Sequence, residues 1–114
     1  MNKLYSLEKL KEIAQGDDAF VREMAITFID NVSVEITNIQ KLIDEGEWKT
    51  IGGIVHRLAP NYAYMGAETL YKLAADIEKK IKDDYNLTET TTITRQMCAD
   101  SLVLIDELKK YFDK

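Results

Sequence analysis

The chain carries a single imidazole, His56, set in the stretch GGIVHRLAPNYAYMG at residues 52–66. An imidazole can ligate a metal, serve as the base of a nucleophile pair, or act as a nucleophile itself. Metal binding needs several convergent ligands, and the chain has no second histidine and no CxxC pair. No metal site is therefore expected. A Cys98–His56 nucleophile pair would use the single cysteine, but Cys98 stands beside Met97 near an apolar helical stripe, where a buried structural thiol is the expected reading. What remains is His56 acting through its own ring. A neutral imidazole is a good nucleophile near physiological pH, because the ordinary pKa of the group is about 6.5.

On a helix, residues three, four and seven away lie within about 60° of a given side chain. For His56 these are Gly53, Gly52 and Lys49 before it and Ala59, Pro60 and Ala63 after it; five of the six are Gly, Ala or Pro. The apolar Ile51, Ile54, Val55 and Leu58 fall mainly on the other side. The imidazole thus stands on a nearly bare strip, reachable by a large partner. Two interior glycines each cost about 1 kcal/mol relative to alanine. An interior proline costs roughly 3 kcal/mol, because it has no N–H and its ring clashes with the carbonyl four residues back, here that of His56. An unfavourable helix placed just where space opens around a titratable group marks a candidate site. The competing reading is that Gly52 and Gly53 only permit close helix–helix contact. Tyr62 and Tyr64 either dock a partner or close the core, the second being expected, and Asn61 either bonds across Pro60 or is solvated.

Composition narrows the field. With 46% hydrophobic and 31% charged residues the chain reads as one globular domain able to bury a core at 114 residues. Fifteen basic against twenty acidic residues give a net charge of −5, which argues against nucleic acid as the main partner. No apolar run reaches membrane-spanning length and MNKLYSLEKL lacks the apolar stretch of a signal peptide. One unpaired cysteine fits a reducing compartment. A cytoplasmic, free-standing monomer is expected, opening with methionine and ending just past its last helix.

The elements that position His56 read as helices. Residues 6–15 form a short one, N-capped by Ser6 and stopped by Gly16, with Leu7, Leu10, Ile13 and Ala14 on one face. Asp17 and Asp18 open a long helix running to Glu45, where Val21, Met24, Phe28, Val32, Ile36, Ile39 and Ile43 recur at steps of three and four. A third begins near Glu47, carries Trp48 and His56, and runs towards Pro60, where the regular pattern must change. A fourth spans about 67–82 with Leu70, Leu73, Ala74, Ile77 and Ile81. After DDYNLTET comes a fifth bearing Ile93, Met97, Leu104, Leu108 and Tyr111, its start blurred by the weak helix formers Thr90 to Thr92. Period-two alternation is confined to residues 88–94. The predicted architecture is all-α: an antiparallel up-down four-helix bundle with an additional short N-terminal helix.

The pattern around the histidine resembles the histidine-containing phosphotransfer (HPt) domain of multistep phosphorelays. That family shows a histidine, a hydrophobic residue two later, a lysine three later, small residues from four later and a glycine ten later. His56, Leu58, the small Pro60 and Ala63, and Gly66 match. GEWKTIGGIVHRL is similar to the family's Gly-Asp-Trp approach, GAETLYKLAADIE to its following helix, and IAQGDDAFVREMAITFIDN to its opening helices. The likeness covers residues 4–112 as one domain. Two positions depart from it: Ala59 replaces the lysine taken to help with phosphoryl charge, and Pro60 replaces the usual glycine. Arg57 points about 100° away from His56, while Lys49 shares its face about 10.5 Å back along the axis. Glu47, Lys49 and Arg57 are the only charged residues between 47 and 66, so the segment is locally positive in an acidic chain and suits a phosphoryl dianion.

The resemblance implies a phosphorelay carrier without kinase activity of its own. His56 would accept a phosphoryl group from a receiver-domain phosphoaspartate and pass it to another receiver. Lys49, Gly52, Gly53, Arg57, Ala59, Pro60 and Ala63 would face the phosphoryl group or partner. No cofactor is implied on this chain, Mg²⁺ being carried by the receiver. Response regulator receivers are the implied partners, with a hybrid sensor histidine kinase as a further candidate. The alternative, which Ala59 supports, is a non-phosphorylatable helical adaptor.

Overall fold

The computed structural model describes residues 4–83 and 86–112. Its elements are α1 (Glu8–Ala14), α2 (Asp18–Glu45), α3 (Trp48–Tyr64), α4 (Glu68–Lys82) and α5 (Leu87–Tyr111). Helix α2 packs on α3 and α5, α4 packs on α3 and α5, and α1 lies against α2. Short connections between consecutive helices force antiparallel neighbours, so the four long helices form an up-down bundle with α1 added outside. The 28 residues of α2, at about 1.5 Å each, account for the 44 Å long dimension of the molecule.

Helix ends follow from local chemistry. Asp17 caps α2 by accepting from the Phe20 amide at 3.1 Å, and Gly46, at φ +70°, closes it in the left-handed conformation. Helix α1 is shorter than expected. Leu7, not Ser6, occupies its N-cap position, with Ser6 Oγ accepting from the Glu8 amide at 3.4 Å. At the other end Gln15 already turns left-handed, ahead of Gly16. Helix α5 starts within the polar stretch, capped by Asn86, whose side chain accepts from the Glu89 amide at 3.1 Å; Asp84 and Tyr85 of that stretch lie outside the described residues. The threonines do not break it. Thr90, Thr91, Thr92 and Thr94 each donate a hydroxyl to the carbonyl four residues back, satisfying within the helix the groups that make threonine a weak helix former.

One core unites the five helices, with Leu10 from α1, Phe28, Ile29 and Ile36 from α2, Ile51, Val55 and Tyr62 from α3, Ile77 from α4, and Met97, Leu104 and Leu108 from α5. Three expected stripe members lie outside it: Ile13, Met24 and Tyr111 are 50%, 37% and 52% exposed. On α2 the buried positions Ala25 and Ile29 supplant Met24, moving the inward face one residue along. On α1 a helix of seven residues is too short to turn a full stripe inward.

Candidate functional site

Helix α3 builds the site, and its two faces diverge completely. Inward it buries Ile51, Ile54, Val55, Leu58 and Tyr62. The Tyr62 hydroxyl shares a 2.7 Å hydrogen bond with Ser101 on α5, and the Tyr62 ring meets Phe28 edge-on at 6.1 Å. Tyr62 is thus a core residue and Tyr64, 46% exposed, is a surface one. The helix does not stop at Pro60 but continues to Tyr64. Pro60 is exposed, so the His56 carbonyl that it leaves without an amide faces the solvent side, where carbonyls can tilt outward at little cost. Asn61 bonds across the proline, its side-chain amide donating to the Arg57 carbonyl at 3.2 Å.

Outward, the His56 side chain is 74% exposed. Its Nδ1 lies 2.6 Å from Glu78 Oε1 on α4. A carboxylate accepts and does not donate, so the ring proton sits on Nδ1 and the lone pair is left on Nε2. A hydrogen bond at this exposure contributes at most about 1 kcal/mol to stability. Its consequence is chemical: it fixes the tautomer and the ring's direction.

Two clefts meet at the histidine. One, of about 530 Å³, is lined by Ala59, Pro60, Ala63, Tyr64, Tyr71 and Lys9 together with His56 and Glu78. The other, of about 740 Å³, is lined by Trp48, Lys49, Gly52, Gly53, Ile81 and Lys82, again with His56 and Glu78. Lys9 Nζ sits over the Tyr64 ring, 5.7 Å from its centroid. The structure therefore gathers Lys49, Gly52, Gly53, Ala59, Pro60 and Ala63 around His56. It does not gather Arg57, whose guanidinium turns to α2 and pairs with Glu35 at 3.1 Å. Gly52 and Gly53 differ from each other. A Cβ on Gly52 would stand 3.3 Å from Ile81, so this glycine does serve helix contact, whereas one on Gly53 would meet only Arg57 Nη1 at 4.0 Å.

Gly66 lies outside both clefts and acts through the backbone. It has φ +64°, and a Cβ there would fall 2.6 Å from the Ser6 carbonyl oxygen. The N-terminal segment crosses the chain at this point, the Ser6 amide donating to the Met65 carbonyl at 2.9 Å. This crossing brings α1, and with it Lys9, to the rim of the site.

Sequence reasoning missed the α4 contribution. Tyr71, Ala75, Glu78 and Lys82 recur at steps of four, three and four and all line the clefts. That periodic edge, beside the apolar stripe of α4, was the available signal. Among the described residues no cluster of three or more His, Cys, Asp or Glu is arranged to hold a metal, and no described helix is long and apolar enough to cross a membrane.

The model of the Hpt domain family matches residues 23–112, which span α2 to α5 and contain His56. The chain belongs to the Hpt domain family. Membership supports a role in histidine phosphotransfer in general terms, and Hpt domains are carriers of the phosphoryl group, not kinases. This Hpt domain is also similar to the virulence sensor protein BvgS of Bordetella bronchiseptica and of Bordetella parapertussis, in each case 23% identical over 111 residues and 96% of the chain. The B. pertussis protein of the same name is 22% identical over the same length. The chain spans only 9% of the length of these relatives. No solved structure gives a significant match.

Proposed function

We propose that His56 is the phosphoacceptor of a relay intermediate, taking a phosphoryl group from an aspartyl phosphate on one receiver domain and passing it to a second. The observation that carries this reading is the exposed ring held by Glu78 through Nδ1 at the meeting of two clefts. In the forward step the Nε2 lone pair attacks phosphorus, the P–N bond forms, and the P–O bond breaks with its electron pair leaving on the aspartate. The Nδ1 proton stays in place. The ring then carries a positive charge directly against the Glu78 carboxylate, and the reverse sequence discharges it onto the next aspartate. Phosphoryl transfer needs positioning and charge neutralisation more than covalent chemistry from the protein. The receiver supplies the Mg²⁺; this chain supplies the nucleophile and a docking face free of bulk at Gly53, Ala59, Pro60 and Ala63. In this reading it works in the cytoplasm as a monomer, receiving from a hybrid sensor kinase's receiver or from a free response regulator.

The test is incubation with a receiver charged by acetyl phosphate and Mg²⁺, followed by assay for acid-labile, base-stable phosphate. The wild type should label and His56→Gln should fold normally and not label. Label persisting in His56→Gln would sink the assignment. Ala59, standing where the family has lysine, favours one other reading, an adaptor that binds receivers without chemistry. An unlabelled wild type that still binds the receiver is its signature.

A further inference from the structure

Placing a phosphoryl dianion on Nε2 sets it close to the Glu78 carboxylate, whose one negative charge only offsets the positive ring. Two further positive charges are needed nearby, and Ala59 brings none. The cations around the site divide into committed and free. Arg57 is held by Glu35, and Lys80 is shared by Asp76 and Glu89 at 3.4 and 3.6 Å. Lys9 lies over Tyr64, eight residues beyond His56 on α3. Lys49 and Lys82 line the second cleft with His56 and enter no ion pair among the described residues. They approach from different helices. Lys82 is four residues from Glu78, one turn along α4, and Lys49 stands two turns before His56 on α3. Both have flexible four-carbon stems able to swing over the cleft.

The position of Lys49 is informative. It lies in the first turn of α3, where no acidic residue is present and where the positive end of the helix dipole disfavours a cation by about 0.3–1 kcal/mol. Helix stability alone would not select lysine there, whereas a long side chain reaching along the cleft would bring its ammonium towards an anion held on His56. We infer that Lys49 and Lys82 form a two-lysine clamp on the phosphoryl group of phosphorylated His56, replacing from the opposite flank the charge that Ala59 lacks. This rests on His56 being the phosphoacceptor.

The clamp is tested by the phosphoryl equilibrium between a charged receiver and the full chain. Lys49→Met with Lys82→Met should shift that equilibrium towards the receiver by about tenfold at low salt, the size expected for two cations near a dianion at a solvated surface. Lys41→Met, on α2 outside both clefts, should leave it unchanged. Adding Ala59→Lys to the double variant should recover most of the loss, which a merely structural role for the lysines would not allow. Wild-type equilibrium in the double variant, or loss without recovery by Ala59→Lys, overturns the clamp while leaving His56 as acceptor. A wild type that takes no label overturns both, so the two failures are told apart.

Discussion

The two faces of α3 obey opposite rules. Within a few residues of one another, Tyr62 is completely buried and hydrogen-bonded, while His56 is largely in water with glycine, alanine and proline for neighbours. The inner face is filled to the last polar atom, since a buried hydroxyl without a partner is costly. The outer face gives up side chains and helix propensity to stay open. Stability is concentrated on one side so that the other can be left bare, and one helix tolerates its glycines and proline because its opposite side is anchored so firmly.

The hardest strike against this division is at Tyr62. Tyr62→Ala should cost about 3–5 kcal/mol by opening a cavity and stranding Ser101, read as a lowered urea midpoint. Its burial also gives a pH signature. Desolvation pushes the Tyr62 pKa up to about 12 and that of Cys98 up to about 11. Both are acids whose pKa is raised by folding, so at alkaline pH the native state holds protons that the unfolded state has lost. Stability must then fall as pH rises, beginning near the ordinary thiol value of 9.0 and steepening near the ordinary phenol value of 10.0. Tyr62→Phe should reduce the steeper part, leaving the share of Tyr5, which burial also raises, and keep the thiol part, visible in unfolding midpoints measured across pH 8 to about 11. An unchanged slope would mean that the inner face is less sealed than its packing indicates.

Most of this division was legible in the chain itself, for a physical reason. A bare face and a filled face of one helix differ by a period of 3.6 residues, so Ile51, Val55 and Leu58 separate from Gly53, His56 and Pro60 by spacing alone. Contacts between helices leave no such trace. That Arg57 turns to Glu35 and that Glu78 holds His56 depend on how α3 sits against α2 and α4, and the edge Tyr71, Ala75, Glu78, Lys82 gains meaning only once α4 lies beside the site. Pro60 misled through an average cost: the penalty of an interior proline shrinks where the orphaned carbonyl faces solvent and Asn61 braces the turn. Met24 and Ile13 misled because a stripe of apolar letters does not say which of two adjacent residues points inward.

A smaller effect is expected where the bare face ends. Gly66→Ala should cost about 1–3 kcal/mol, from forcing a side chain into the left-handed region against the Ser6 backbone. Thermal unfolding measures it, and the expected companion is loosening of the Ser6–Met65 bond, detectable as faster amide exchange at Ser6. No loss of stability would mean that the N-terminal crossing yields easily, and the placement of Lys9 beside the site would then not be fixed by this glycine.

The finest test uses the adjacent glycines. Gly53→Ala should stabilise the protein by about 0.5–1 kcal/mol, because alanine is the better helix former and finds open space. Gly52→Ala gains the same propensity but must push Ile81 from 3.3 Å, so its net change should be smaller or reversed. Two neighbouring, chemically identical substitutions would then differ only by the face on which they fall, and equal gains would show that α4 gives way and that Gly52 is not a packing residue. Measured alongside phosphoryl uptake, the same pair separates two reasons for retaining glycine. A Gly53→Ala protein that is more stable yet slower to accept phosphate would show that the missing methyl group is kept for the partner's approach, at a cost to the helix that carries the histidine.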